Sequence, residues 1–255
     1  MANNQLLASD NFASGSLAVG WTVLPSQTLC QVVAGTPEVT EPTATLTPCG
    51  QYWTGIAFPN DHTSEITLQA LTTEVTSQIG LIVRQQSGSS QGCYVAVLVN
   101  NALQVYISSA LGVLTQLSST VSGLTFVAGD VIAFQVAGSC LTVYQNNNQI
   151  YRFYDTTWTG GSPGFSQASS TAITHTQVSA WRGYNAVQQD GIWKKQGIVI
   201  PAIAADLTIP SIKGEGIQLI SMLHEGNAQL LSGTVYKAWI VSNWGGGNEA
   251  NIYYA

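Results

Sequence analysis

The sequence predicts an all-β fold, a sandwich or jelly roll of two antiparallel sheets, on three observations. Apolar and polar residues alternate through most of the first 181 positions, no period-3.6 pattern of useful length interrupts them, and turn signals recur at about 8–12-residue spacing. Ile66, Leu68 and Ala70 alternate with Glu65, Thr67 and Gln69, which predicts a half-buried strand with one face on a core. Ile79 to Val83 and Tyr94 to Val99 are apolar on both faces, as expected of strands in the middle of a layered structure. Leu103, Val105 and Ile107 alternate with Gln104, Tyr106 and Ser108, a second half-buried strand. Asn100-Asn101, Gly129-Asp130, Asn146-Asn147-Asn148 and Gly160-Gly161-Ser162-Pro163-Gly164 separate these runs with residues that tolerate positive φ or pre-set a turn.

At 255 residues the chain is long enough for one large β domain or two ordinary ones. Charged residues make up 8%, against roughly 25% in an average soluble domain, so hydroxyls and amides carry the solubility. The net charge of -6 leaves no basic surface to neutralise phosphates, which argues against nucleic acid as a partner. No apolar run approaches the roughly 18 residues that span a bilayer, so membrane insertion is not expected. The N-terminal ten residues lack a basic region and an uninterrupted apolar stretch, and no secretory signal is visible. Cys30, Cys49, Cys93 and Cys140 fit neither a zinc knuckle nor a CxxC pair. Buried reduced thiols are the favoured reading over a disulfide, because Cys93 and Cys140 sit in apolar strand-like runs.

A shift in composition divides the chain near Tyr184. Residues 1–181 carry only Arg84 and Arg152 as basic residues against eight acidic ones, and no lysine precedes Lys194. Residues 182–255 carry five of each sign. The domains are therefore read as 1–184 and 185–255. Sheet proteins commonly block edge pairing with charged edge residues, which are scarce here. A neighbouring subunit or the 185–255 segment would cover the edges, which predicts a homo-oligomer or assembly subunit; short edge strands and bulges would also suffice.

Asp10-Asn11-Phe12, Gly20-Trp21, Trp53-Thr54-Gly55-Ile56-Ala57-Phe58-Pro59-Asn60-Asp61, Ile79-Gly80-Leu81-Ile82-Val83-Arg84, Ala128-Gly129-Asp130, Leu141-Thr142-Val143-Tyr144, Ser162-Pro163-Gly164 and Trp181-Arg182-Gly183 follow in that order. Over about residues 6–184 this series resembles a laminin-G-like, concanavalin-A-like sandwich. The resemblance implies two curved antiparallel sheets, often used to hold carbohydrate or mediate adhesion, with Trp21 and Trp181 in the core. Gly191-Ile192-Trp193, Gly197-Ile198-Val199-Ile200-Pro201, Glu225-Gly226-Asn227, Lys237-Ala238-Trp239-Ile240 and Asn251-Ile252-Tyr253-Tyr254-Ala255 are similar to the entry and first blade of a five-bladed β-propeller glycoside hydrolase. One blade cannot close a propeller, so this extension is expected to be incomplete by itself.

Glycoside cleavage needs two facing carboxyl groups. Asp190, Asp206, Glu215, Glu225 and Glu249 are available in the blade-like segment, with Glu225 beside Gly226-Asn227 the first to test, but solvated or turn carboxylates are the expected reading. His62, His175 and His224 have no GxSxG elbow to serve and are expected at surfaces or edges. No cofactor is expected. A Ca2+ site built from Asp10, Asn60 or Asp61 is the alternative, although the Asp-x-Asp-x-Asp-Gly spacing is missing.

Sugar binding has the better physical case, because pyranose C–H faces stack on aromatic rings while amides and charged groups read hydroxyls. The candidate ligand-binding residues are Trp158, Tyr52, Trp53, Tyr94 and Arg84, with Trp158 in its Gly-rich loop expected to be the exposed one. The sequence thus reads as a non-catalytic carbohydrate-recognition or adhesion module for a polysaccharide or cell-surface glycan. It would belong to a virion surface, as in a tail fibre or capsid appendage, or to an extracellular bacterial surface. The alternatives are the N-terminal targeting portion of a β-propeller glycoside hydrolase and a structural subunit of an ordered array.

Overall fold

Alternation becomes two antiparallel sheets in the computed structural model, each of eight strands. The structure describes residues 5–43, 48–87, 92–109 and 113–186, and four short strands beyond them. The first sheet runs β14 (Asn148–Tyr154), β13 (Cys140–Gln145), β12 (Val131–Ala137), β6 (His62–Leu71), β16 (Thr176–Asn185), β4 (Val39–Thr40) and β3 (Gln31–Val32), with β1 (Leu6–Asp10) also paired to β16. The second runs β10 (Leu114–Gln116), β9 (Ala102–Ser108), β8 (Cys93–Val99), β7 (Gln78–Gln85), β15 (Ser162–Ala168), β5 (Cys49–Trp53) and β2 (Trp21–Val23), with β11 (Val121–Ser122) also on β9. This is the two-sheet sandwich that the alternation predicts, in the concanavalin-A-like form that the resemblance implies. Among the described residues there is no α-helix, only a 3-10 turn at Ile173–His175, and no helix long and apolar enough to cross a membrane.

The core lies between the sheets because each strand turns alternate side chains inward. Ile66, Leu68, Phe134, Val143 and Trp181 from the first sheet join Leu81, Val83, Tyr94, Leu98 and Phe165 from the second. At one end Trp21, Trp53 and Trp181 interlock: Trp21 meets Trp53 edge-on at 5.1 Å and Trp53 stacks on Trp181 at 5.4 Å. Asp10 sets that corner by accepting 2.9 Å bonds from the Phe12 and Ala18 amides and the Trp21 indole.

The structure corrects three expectations. Cys30 and Cys49 form a disulfide, while Cys93 and Cys140 are free. The pairing follows from register: β5 accompanies the 28–30 segment, with Gly50 N–H donating to the Thr28 carbonyl at 2.9 Å, so the two thiols face each other inside the sandwich. His62 is fully buried, because it begins a ten-residue strand at the centre of its sheet and does not sit in the turn before it. Glu65, on the expected solvent side of β6, is buried beneath Arg182 and Tyr184, whose Nη1 and hydroxyl donate to its carboxylate at 3.1 and 3.0 Å.

The chain divides into two units, Met1–Gln188 and Gln189–Ala255. In the second, β17 (Val199–Pro201) pairs with β18 (Val235–Lys237), and β19 (Trp239–Ser242) with β20 (Ala250–Tyr253), both antiparallel. Asp190, Asp206, Glu215, Glu225, Glu249 and His224, and with them the blade-like carboxylates, lie outside the described residues.

Candidate functional site

The five residues proposed from sequence go to three places. Arg84, Tyr94 and Trp158 meet in a buried corner. Arg84 ends β7 in a left-handed conformation, φ 54°, beside a register shift in β15, so its side chain turns into the protein instead of away from the sheet. Its Nε donates to the Asn60 carbonyl at 3.1 Å, Nη1 to the Trp158 carbonyl at 2.6 Å, and Nη2 to the Gly138 carbonyl at 2.8 Å and to Asp61 Oδ1 at 3.2 Å. Three loops are thereby held by one guanidinium that is 3% exposed. Burial pulls its pKa down, and the Asp61 carboxylate opposes that shift.

Behind Arg84 stands His62. Its Nδ1–H donates to the Pro59 carbonyl at 2.8 Å and its Nε2 accepts the Arg84 amide at 2.9 Å, an arrangement that requires the neutral ring. Burial, opposed by the Pro59 hydrogen bond and helped by the Arg84 charge, lowers its pKa to about 4. Tyr94 is wholly buried; its hydroxyl donates to Asp155 and accepts the Trp158 amide at 2.9 Å, and burial ahead of the Asp155 contact raises its pKa to about 12. Trp158 is half-buried and not displayed: its indole donates to the Ser108 carbonyl at 3.1 Å, and the ring fills the slot left by Gly92. These groups spend their polar atoms on the protein itself.

Trp53 belongs to the tryptophan cluster described above, with the Gly20 backbone pressed against its ring. The Ca2+ candidates are likewise occupied: both Asp10 oxygens accept protein donors, and Asp61 Oδ1 accepts from Arg84 and the Gly138 amide. Among the described residues no group of three or more His, Cys, Asp or Glu side chains could hold a metal ion.

Tyr52 lies on the outer face of the second sheet, beside a surface feature that it does not itself line. The outer face of the second sheet carries a second apolar cluster of Leu24, Ile82, Cys93, Val95, Val97 and Val99, against which Tyr52 and Tyr106 pack. Its origin is the two-sided apolar character of β7 and β8: Leu81 and Val83 face the core, so Ile82 faces out, and Val95 and Val97 alternate in the same way with Tyr94, Ala96 and Leu98. A trough of about 300 Å³ lies on this face. Gly80 and Ser166, paired across β7 and β15, keep its floor low; a Cβ on Gly80 would sit 2.6 Å from Ser166 Oγ and 3.0 Å from Val95 Cγ1. Its walls hold Pro25, Gln27 and Pro48 from the loops and Leu114 from β10.

Among the described residues the lining contains amides and hydroxyls (Gln27, Gln78, Gln85, Ser108, Ser166) and no Asp, Glu, Lys, Arg or His. Burial raises the Cys93 thiol to about 12, so these described groups are uncharged across ordinary pH. Chemically it can desolvate an apolar face and exchange hydrogen bonds with a neutral polar ligand. The sequence signal that could have found it is the outward set Ile82, Val95 and Val97, apolar where a solvated sheet face would be polar.

With this geometry in hand, solved structures supply the comparison. The chain matches the exoplasmic/lumenal domain of VIP36 in its Ca2+/Man3GlcNAc-bound form at TM-score 0.51 and 12% identity, covering 73% of this chain and 92% of that one. The carbohydrate recognition domain of Emp47p matches at 0.50 and 10%, covering 73% and 99%. A structure described with endo-acting O-glycanases that initiate mucin breakdown matches at 0.50 and 10%, covering 72% and 100%. The likeness is one of fold. No protein-family model and no curated protein matches the chain.

Proposed function

We propose that this protein is a non-catalytic carbohydrate-recognition module that takes a neutral glycan in the trough on the outer face of the second sheet. The observation that carries the reading is the trough itself: an aliphatic floor between amide and hydroxyl walls, with no ionisable side chain among the described residues that line it except a thiol held protonated. Such a lining suits a ligand with apolar C–H faces and neutral hydroxyls, and it rejects phosphate, sulfate and carboxylate groups that would lose hydration without gaining a counter-charge. One of the fold neighbours is a carbohydrate recognition domain and another was solved with Man3GlcNAc bound, which supports the same reading. Adhesion follows as the role: display on a virion or cell surface, as a homo-oligomer or assembly subunit, where a low-charge, lysine-poor sandwich would pack against its copies.

Titration calorimetry with a panel of neutral and sulfated oligosaccharides tests this. Neutral members are expected to bind and sulfated ones not. Gly80→Val, which fills the trough floor, is expected to abolish binding while Arg152→Ala on the other sheet leaves it intact. Binding that survives in a folded Gly80→Val protein, or a preference for sulfated glycans, overturns the proposal.

A further inference from the structure

The trough crosses its sheet obliquely, and the strand registers give its course. At one end Leu114 on β10 pairs with Ser108 on β9, which pairs with Cys93 on β8, and all three line the trough. At the other end Gln78 on β7 pairs with Ala168 on β15, and both line it. Between them the floor passes over Val95 and Ile82, then over Val97 and Gly80, each a paired couple on β8 and β7. Following β10-β9-β8-β7-β15, Leu114 and Ala168 stand four strand spacings apart across the sheet and about six residues apart along it. At roughly 4.8 Å per strand and 3.3 Å per residue, that diagonal is about 25 Å.

The side chains that a ligand can reach are spread along the whole diagonal. Leu114 is 48% exposed at one end, Ser166 is half-buried towards the middle, and Gln78 and Pro25, half-buried, stand with the exposed Pro48 at the other. Both extremes thus reach solvent. A site built for the end of a sugar chain gathers its contacts around one ring in a concave pocket. These contacts lie further apart than one ring can span, with a continuous aliphatic floor between them. Resting on the reading of the trough as a glycan site, we infer that its ligand is an internal stretch of a linear, extended neutral polysaccharide, held over several sugar units at once. A coiled or branched chain would leave the diagonal and lose one of its ends.

Linear β-1,4-linked oligomers of glucose and of mannose, two to six units long, are the probes, titrated calorimetrically into the full chain. In at least one series affinity is expected to rise about tenfold or more between two and six units, as each added unit buries further surface along the floor. Leu114→Ser, at an exposed position of the edge strand β10, and Gln78→Ala, at a half-buried one, are each expected to shrink that rise. Affinity for the two-unit member and the thermal melting temperature should hold in both variants. Equal affinity from two to six units, or a rise that both variants leave unchanged, overturns the inference and leaves the trough as a site for a chain end. A rise that survives in a folded Gly80→Val protein, or failure of every oligomer to bind, overturns the trough reading with it.

Discussion

Between pH 7 and pH 5 an ordinary histidine, with a pKa near 6.5, takes up a proton, and His62 in the folded protein does not. Its Nε2 accepts the Arg84 amide, its Nδ1–H is committed to the Pro59 carbonyl, and burial holds its pKa at about 4. Over this window the unfolded chain binds more protons than the folded one, so stability rises with pH. The contribution is complete above pH 6.5 and is lost as the pH falls toward 4. The depression of the pKa from 6.5 corresponds to about 3 kcal/mol in full, of which about 2 kcal/mol disappears between pH 7 and pH 5. Urea unfolding at the two pH values reads this directly. A change of about 2 kcal/mol moves the midpoint by roughly 1 M at the urea dependence usual for a domain of this class. His62→Gln keeps a donor and an acceptor without the titration, and in that variant this part of the pH dependence should vanish. Equal pH dependence in the two proteins, or a directly titrated His62 near 6.5, would refute the reasoning.

Arg84→Met, similar in length, should cost about 3–5 kcal/mol, because it strands a partly buried Asp61 and three loop carbonyls together; an effect below 1 kcal/mol in chemical denaturation would contradict the hub. Reduction of Cys30–Cys49, whose loop spans 19 residues, should lower stability by about 3 kcal/mol. It should also weaken glycan binding, since the 24–30 segment forms a trough wall, and unchanged affinity after reduction under folded conditions would separate the two. Because no described residue that lines the trough carries a fixed charge, the binding constant should stay within about twofold between 50 mM and 1 M salt, where a charged site would respond strongly.

How much of this was readable beforehand differs by element. Ile79–Val83 and Tyr94–Val99 announced themselves as central strands through apolar residues on both faces, one set turned into the core and the other flooring the trough. The Cys30–Cys49 pair was hidden, since it depends on the 28–30 segment folding beside β5, a contact set by register and not by spacing. His62 follows Asn60-Asp61 and reads as a turn residue, whereas strand pairing with Val136 and Asn185 places it in the sheet. Trp158 stands among glycines and reads as exposed; the slot that half-buries it is made by Gly92, 66 positions earlier in the chain. The trough was partly visible, in that Val95 and Val97 are apolar on a face that could have been polar. Its Gln27 wall was not: Gln27 packs over Gly50 only once the Leu24–Gln27 turn and β5 have assembled.

The most direct test of the central claim is backbone amide NMR during titration with a neutral oligosaccharide that binds in the calorimetric panel. The account predicts that shift changes concentrate at Gln27, Gly50, Gly80, Val95 and Ser166, across strands β5, β7, β8 and β15, with the Arg84 corner unmoved. Changes centred on Trp158 and its loop, with the outer face of the second sheet silent, would contradict it.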